Sequence, residues 1–339
     1  VIRGTDRLDF VAVNSLASLL LWAVLCLPLG AQVKLGEKTT VVFATVEEGR
    51  KVLTSRDDFV QRLSPFDRAA RMKTDREVGE EEYLKFVAQN VVEWNEAEKE
   101  KISAVFQGIQ AALEAFALPF PEKVLVIKTT GQEEGGASYT RANAIVLSQP
   151  YLKQPAAMIR RVVSHELFHV LSRANPQLRE RLYQVIGFEK CGEVEFPDEL
   201  KSRKLTNPDA PRNDSCVRLE VGGQSVWGVP ILFSNAEKYD VNRGGEFFHY
   251  LQFQFLLVTR DEKTGAAQPI LENQKSKLAA VPAVSGFFEK VGRNSGEIFH
   301  PEEILADNFS LLITGQRKVP SPEILQKLEQ ALKAWKAKQ

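Results

Sequence analysis

The chain has 339 residues, 44% hydrophobic and 26% charged, with Lys plus Arg equal to Asp plus Glu at 44 each. That supply of apolar residues can bury a sizeable core in one large domain or two lobes. The neutral balance gives no ground for nucleic acid or an anionic membrane surface as the main partner, and the absence of repeats or low-complexity tracts sets aside solenoids and tails.

Taken in order, the chain begins with Arg3 and Arg7 ahead of an apolar run over 16–27, followed by Pro28-Leu29-Gly30-Ala31. This reads as a secretory signal peptide over 1–31, so an exported protein, periplasmic or extracellular, is expected. The competing reading is an uncleaved anchor over 10–29, weakened by Asn14, Ser15 and Ser18, and only that would give the chain a stable membrane partner. No other stretch is apolar enough to span a bilayer.

The rest divides into an N-terminal lobe over 32–173 and a C-terminal lobe over 174–339. A β-branched run predicts a strand over 40–46, with no breaker before Gly49. Ser64-Pro65 opens a helix to about residue 73. Apolar residues three or four apart, from Tyr83 to Phe116, predict helical scaffold over 80–117. Strands follow over 123–128 and 142–147, separated by a glycine-bearing turn at 131–136 that lacks the Gly-Lys-Ser ending of a phosphate cradle.

In the second lobe, a helix over 178–186 gives way to irregular chain marked by Pro197, Asn207-Pro208 and Pro211. A hairpin over 217–233 turns at Gly222-Gly223, a strand runs over 247–258, and helices begin at Pro301 and Pro322. The fold class expected is therefore α+β: a mixed-sheet lobe, a small inserted antiparallel sheet and a helical C-terminal part. Cys191 and Cys216 are the only cysteines beyond the N-terminal segment, and export predicts a disulfide between them.

One stretch carries chemistry. Residues 156–171 contain no proline or glycine, and Ile159, Val163, Leu167 and Val170 form an apolar stripe at helical spacing. On the same helix lies Ser164-His165-Glu166-Leu167-Phe168-His169. Positions i and i+4 share a face, so both imidazoles can reach one ion while Glu166 leans toward an open coordination position. Neutral imidazole and carboxylate suit zinc, and a catalytic site needs three protein ligands plus water.

His165-Glu166-Leu167-Phe168-His169 resembles the active-site helix of the zincin metallopeptidases. The metzincin branch needs a glycine and a histidine where this chain has Ser172 and Asn175. Pro301-Glu302-Glu303-Ile304-Leu305-Ala306-Asp307 is instead similar to the third-ligand helix of the gluzincins, the thermolysin-like enzymes, although it lies farther from His169 than in those enzymes. The resemblance implies a zincin-like fold and zinc held by His165, His169 and Glu303. It also implies that Asp307 supports His165, that Glu166 is the general base, and that a peptide or protein is hydrolysed by metal-activated water. Glu302 and Glu303 point about 100° apart, so only one faces the cleft. The resemblance further gives the segment 138–147 the role of a cleft-edge strand that pairs with substrate backbone.

A gluzincin also uses a tyrosine or histidine to stabilise the oxyanion, and Tyr183, His249, Tyr250 and His300 are the candidates. Two other readings stay open: a zinc-binding scaffold of the same fold without turnover, and an amidase acting on cell-wall peptides.

Overall fold

The computed structural model describes residues 33–36 and 38–336, which belong to one compact unit, Gln32–Gln339. The expected signal peptide lies outside the described residues. Among those described, no helix is long and apolar enough to cross a membrane.

The fold is mixed α/β. Strands β1 (Val33–Leu35), β2 (Thr39–Phe43), β3 (Lys123–Thr129), β4 (Tyr139–Arg141) and β5 (Ala144–Ser148) form a five-stranded sheet in the order β1-β2-β3-β5-β4. Its centre, β2-β3-β5, is parallel, and both edge strands run antiparallel. Successive side chains of β3 alternate between two cores, which is why the strand reads as an unbroken apolar run. Val124 and Val126 pack on one side with helices α4 (Glu96–Glu114) and α5 (Ala156–Ala174). Leu125 and Ile127 pack on the other with α1 (Val46–Leu53) and α3 (Glu80–Asn90).

Two boundaries differ from the sequence reading, and in both a cap overrides periodicity. The strand expected to reach residue 46 stops at Phe43, because Thr45 and Glu48 form a reciprocal capping box that starts α1. Gly49 is then carried inside the helix, where a Cβ would meet Val91 Cγ1 at 2.8 Å, so the close approach of α1 to its neighbour needs the missing side chain. The single helix expected over 80–117 is two, because Asn95 and Glu98 form a second capping box. Val91 between them bridges Thr129, and Trp94 Nε1 donates to the Val126 carbonyl at 3.1 Å. Helix α2 (Pro65–Arg71) starts where Ser64-Pro65 places it.

After α5 come α6 (Pro176–Val185) and strands β6 (Phe188–Lys190), β7 (Ser215–Val221), β8 (Gln224–Ser234), β9 (Leu251–Arg260) and β10 (Ala267–Pro269). The β7–β8 hairpin turns at Gly222 and Gly223, both with positive φ (56° and 78°) as a two-residue hairpin requires. The antiparallel sheet is not small: it has seven strands, because two-residue strands at Leu278–Ala279 and Val284–Ser285 add to β9 and β7. Such short pairings lack an alternation long enough to read. The strand expected from residue 247 begins at Leu251, after a 3₁₀ turn over Phe247–Tyr250.

The Cys191–Cys216 disulfide is not formed; both are buried free thiols. Cys216 pairs with Glu189, and the Cys191 N–H donates to Asp214 O, so the two cysteines are diagonal neighbours across the ladder, not opposite ones. The Cys191 thiol instead donates to the Gly192 carbonyl at 3.6 Å, and both cysteines pack as small apolar groups with Val229 and Leu256.

The chain closes with α7 (Phe288–Val291), α8 (Pro301–Ile313) and α9 (Pro322–Lys336). Helix α8 is buried at every position except Asp307, and it packs along α5, with Phe168 and Phe309 rings 5.6 Å apart. That contact brings the two motif helices together.

Candidate metal centre

The apolar stripe of α5 is seated in the core, with Ile159, Val163, Leu167 and Val170 all at most 1% exposed. Rotation of the helix is thereby fixed, and His165 and His169 are turned to α8. The first turn of α8 carries Glu302 and Glu303, where the helix dipole favours carboxylates. Pro301 occupies the first helical position and His300 caps it, its Nδ1 accepting from the Glu302 N–H at 3.1 Å.

Glu303 Oε2 lies between the imidazoles, 3.1 Å from His165 Nε2 and 3.3 Å from His169 Nε2. Neighbouring ligand atoms around a tetrahedral ion with bonds of about 2.0–2.1 Å are themselves about 3.3 Å apart, so the spacing suits zinc. His169 Nε2 is buried and forms no hydrogen bond. The donor set of two imidazoles and a carboxylate, with an orphaned ring nitrogen aimed at their common centre, fits a metal ion: His165, His169 and Glu303 could hold one.

Behind each imidazole stands a second carboxylate. Asp307 Oδ1 is 3.2 Å from His165 Nδ1, and Glu302 Oε1 is 3.1 Å from His169 Nδ1. An Nδ1–H held in this way leaves the Nε2 lone pair facing the metal position. Both carboxylates are themselves held. Ser295 Oγ donates to Asp307 at 2.7 Å, while Tyr183 donates to Glu302 Oε2 at 2.5 Å and Ser172 to Oε1. Burial would raise the carboxyls of Glu302, Glu303 and Asp307, but the imidazoles beside them win and hold all three below the usual range.

Glu166 is 4% exposed, and its Oε2 is buried without a hydrogen-bond partner. Burial, with Asp209 adding to it, pushes the carboxyl up to about 8, as suits a group that exchanges a proton near neutral pH.

Of the candidate oxyanion donors, the structure brings Tyr183 and His300 to the site and leaves the other two elsewhere. The Tyr183 ring packs edge-on to His300, 6.1 Å away, and its hydroxyl is engaged by Glu302. His249 and Tyr250 lie in the turn before β9, where Tyr250 binds the Asp240 backbone and His249 packs on Gly245.

Sequence reasoning missed three groups. Glu302 faces the back of His169 while Glu303 faces the front, so the 100° between neighbours on a helix gives both a role; the Glu-Glu pair was the available signal. Asn207 Nδ2 donates to Glu303 Oε1 at 2.6 Å. Asp209 lies close enough to Glu166 and His169 for the three to form a second possible metal-binding group. No sequence pattern marks either loop residue. Strand β4, expected to border the cleft, is an edge strand, and the Thr140 N–H donates to Asp209 Oδ1 at 2.7 Å.

Comparison with protein-family models, with curated proteins and with solved structures finds no match.

Proposed function

We propose that this chain is an exported, zinc-dependent hydrolase of the gluzincin type with a zincin-like fold, cleaving peptide bonds. The observation that carries the reading is the closure of both motifs on one point: two Nε2 atoms and Glu303 converge, and each Nδ1 is held by its own carboxylate. A purely structural tetrahedral site has no need of a base beside its ligands, yet Glu166 offers an unpaired carboxylate oxygen there.

Zinc bound by His165, His169 and Glu303 would act as a Lewis acid toward the scissile carbonyl and the attacking water. Glu166 takes the water's proton and passes it to the leaving amine, and the burial that raises its carboxyl strengthens it as the base in the first of these transfers. Asp307 and Glu302 fix the tautomers of the two histidines. His300, buried beside Tyr183, is the nearer candidate for an oxyanion donor, since Tyr183 already serves Glu302.

The test is turnover of a mixed peptide library by the metal-loaded protein, with and without chelator, beside Glu166→Gln. The variant should keep its zinc and lose at least about 10²-fold in turnover. Undiminished hydrolysis by Glu166→Gln, or hydrolysis that survives chelation, refutes the mechanism; zinc uptake with no turnover of any peptide favours a scaffold.

A further inference from the structure

The groups that would meet a substrate are covered. Glu166 is 4% exposed and His169 is fully buried. A cavity of about 350 Å³ opens beside Asp209, Tyr183 and Glu302, and neither His165 nor His169 lines it. What lies over the site is a piece of the chain itself.

Thr206 is buried and tied to Asp67 by its N–H at 3.0 Å and its hydroxyl at 2.8 Å, and Asp67 is locked into an ion triad with Arg71 and Glu134. From this fixed root the chain crosses to the metal centre. Asn207 donates to the outer oxygen of Glu303 at 2.6 Å. Two residues on, Asp209 Oδ1 accepts from the Thr140 N–H at 2.7 Å and from Thr140 Oγ1 at 2.5 Å. Those contacts cap edge strand β4 at the backbone donor an added peptide strand would use.

Arg173, one turn beyond His169 on α5, fastens the crossing. It donates to Thr140 Oγ1 at 2.8 Å, to Ala142 O at 3.0 Å and to Asp209 O at 3.3 Å. At the tip of the crossing, the Asp209 carboxylate lies within 4.8 Å of both Glu166 and His169, over the face a substrate would approach. The segment is therefore held by discrete side-chain contacts and not by a strand ladder, so it can leave the site without unpairing the sheet.

We propose that residues 207–212 form an intramolecular strap occupying the place of a peptide substrate, with Asp209 capping the Thr140 N–H, and that substrate binds by displacing it. The proposal rests on the metallopeptidase reading. In the released position Thr140 offers its N–H to a peptide carbonyl, and the outer face of Glu166 and His169 opens.

Hydrogen exchange of the full chain, followed over the peptides containing Thr140 and residues 207–212, tests this. In metal-free protein Asp209→Ala should speed exchange at Thr140 by about tenfold or more, while central strand β3 stays protected. Asp209→Asn, which keeps an acceptor oxygen, should fall between, and it serves as the readout if the alanine variant folds poorly. In zinc-loaded parent, acetyl-Ala-Ala-Leu-hydroxamate should speed exchange across 207–212 while protecting Thr140 again. It should also bind Asp209→Ala about tenfold more tightly than parent, the cost of the closed population being removed.

Unchanged Thr140 exchange in both variants overturns the strap. So does hydroxamate binding that leaves 207–212 as protected as before. A parent that takes up no zinc removes the metallopeptidase reading, and the strap's role with it, so the two failures are told apart by the zinc titration alone.

Discussion

Replacing Glu302 with alanine separates the side chains that could hold a metal ion from the groups that aim them. In the native site Glu302 Oε1 meets His169 Nδ1 at 3.1 Å and takes the Ser172 hydroxyl, while Oε2 takes the Tyr183 hydroxyl at 2.5 Å. Glu302, Ser172 and His169 are at most 2% exposed, so a replacement acceptor can come only as water from the adjoining cavity that Ser172, Tyr183 and Glu302 line. Each donor left unpaired costs about 1–3 kcal/mol. Ser172 also contacts the His169 carbonyl at 3.5 Å and retains that weak alternative, whereas among the described residues Glu302 is the one hydrogen-bond partner of the Tyr183 hydroxyl and of His169 Nδ1. We expect the metal-free protein to lose about 2–5 kcal/mol in urea denaturation. The effect on the metal is distinct. Without the carboxylate the tautomer of His169 is no longer imposed, and zinc affinity should fall by about 10–100-fold, or roughly 1.4–2.7 kcal/mol. Glu302→Gln keeps an acceptor for one hydroxyl and should recover much of the folding stability without recovering the metal affinity. Competition titration against a chromophoric chelator reads the second quantity independently of the first. An alanine variant that unfolds cooperatively and binds zinc within about twofold of the parent would refute the assigned role of Glu302.

Glu303→Ala should abolish tight zinc binding and Asp307→Ala should weaken it by about 10–100-fold, both read by the same titration; equal losses would mean that ligand and support had been misassigned. Glu133 gives a pH signature remote from the metal centre. It is 1% exposed with Oε2 unpaired, and burial pushes its carboxyl up to about 7. Because the folded state holds this proton more tightly than the unfolded chain, stability is greatest below the ordinary glutamate range and is lost as pH rises from about 4.5 toward 7, by roughly 3 kcal/mol. Glu133→Gln should flatten that decline in melting temperature; an identical decline in the variant would show that other groups cause it.

The parts of the site legible in the sequence are those whose geometry is helical. The four-residue spacing of His165 and His169, the stripe at Ile159, Val163, Leu167 and Val170, and the four-residue spacing of Glu303 and Asp307 each predict a face without reference to the rest of the fold. The structure puts those faces together. Asn207 and Asp209 were illegible because their place depends on Thr206 being fixed to Asp67 and on Arg173 reaching across, contacts between residues far apart in the chain. The divided helix at residues 91–95 was illegible for a different reason: the apolar spacing continues through it, and only the Asn95–Glu98 capping box marks the new start. The extent of the antiparallel sheet came from two-residue strands that carry no period.

The joining of α5 to α8 has a consequence in time. Ribosomes deliver His165 and His169 long before Glu303 and Asp307, and the third donor is fixed only when the almost wholly buried α8 has packed on α5. A chain still being made holds two imidazoles and no complete donor set, so it would retain a metal ion weakly. On the proposed reading, hydrolysis would be deferred until nearly the last helix is in place, and a chain cut short before residue 303 would lack it.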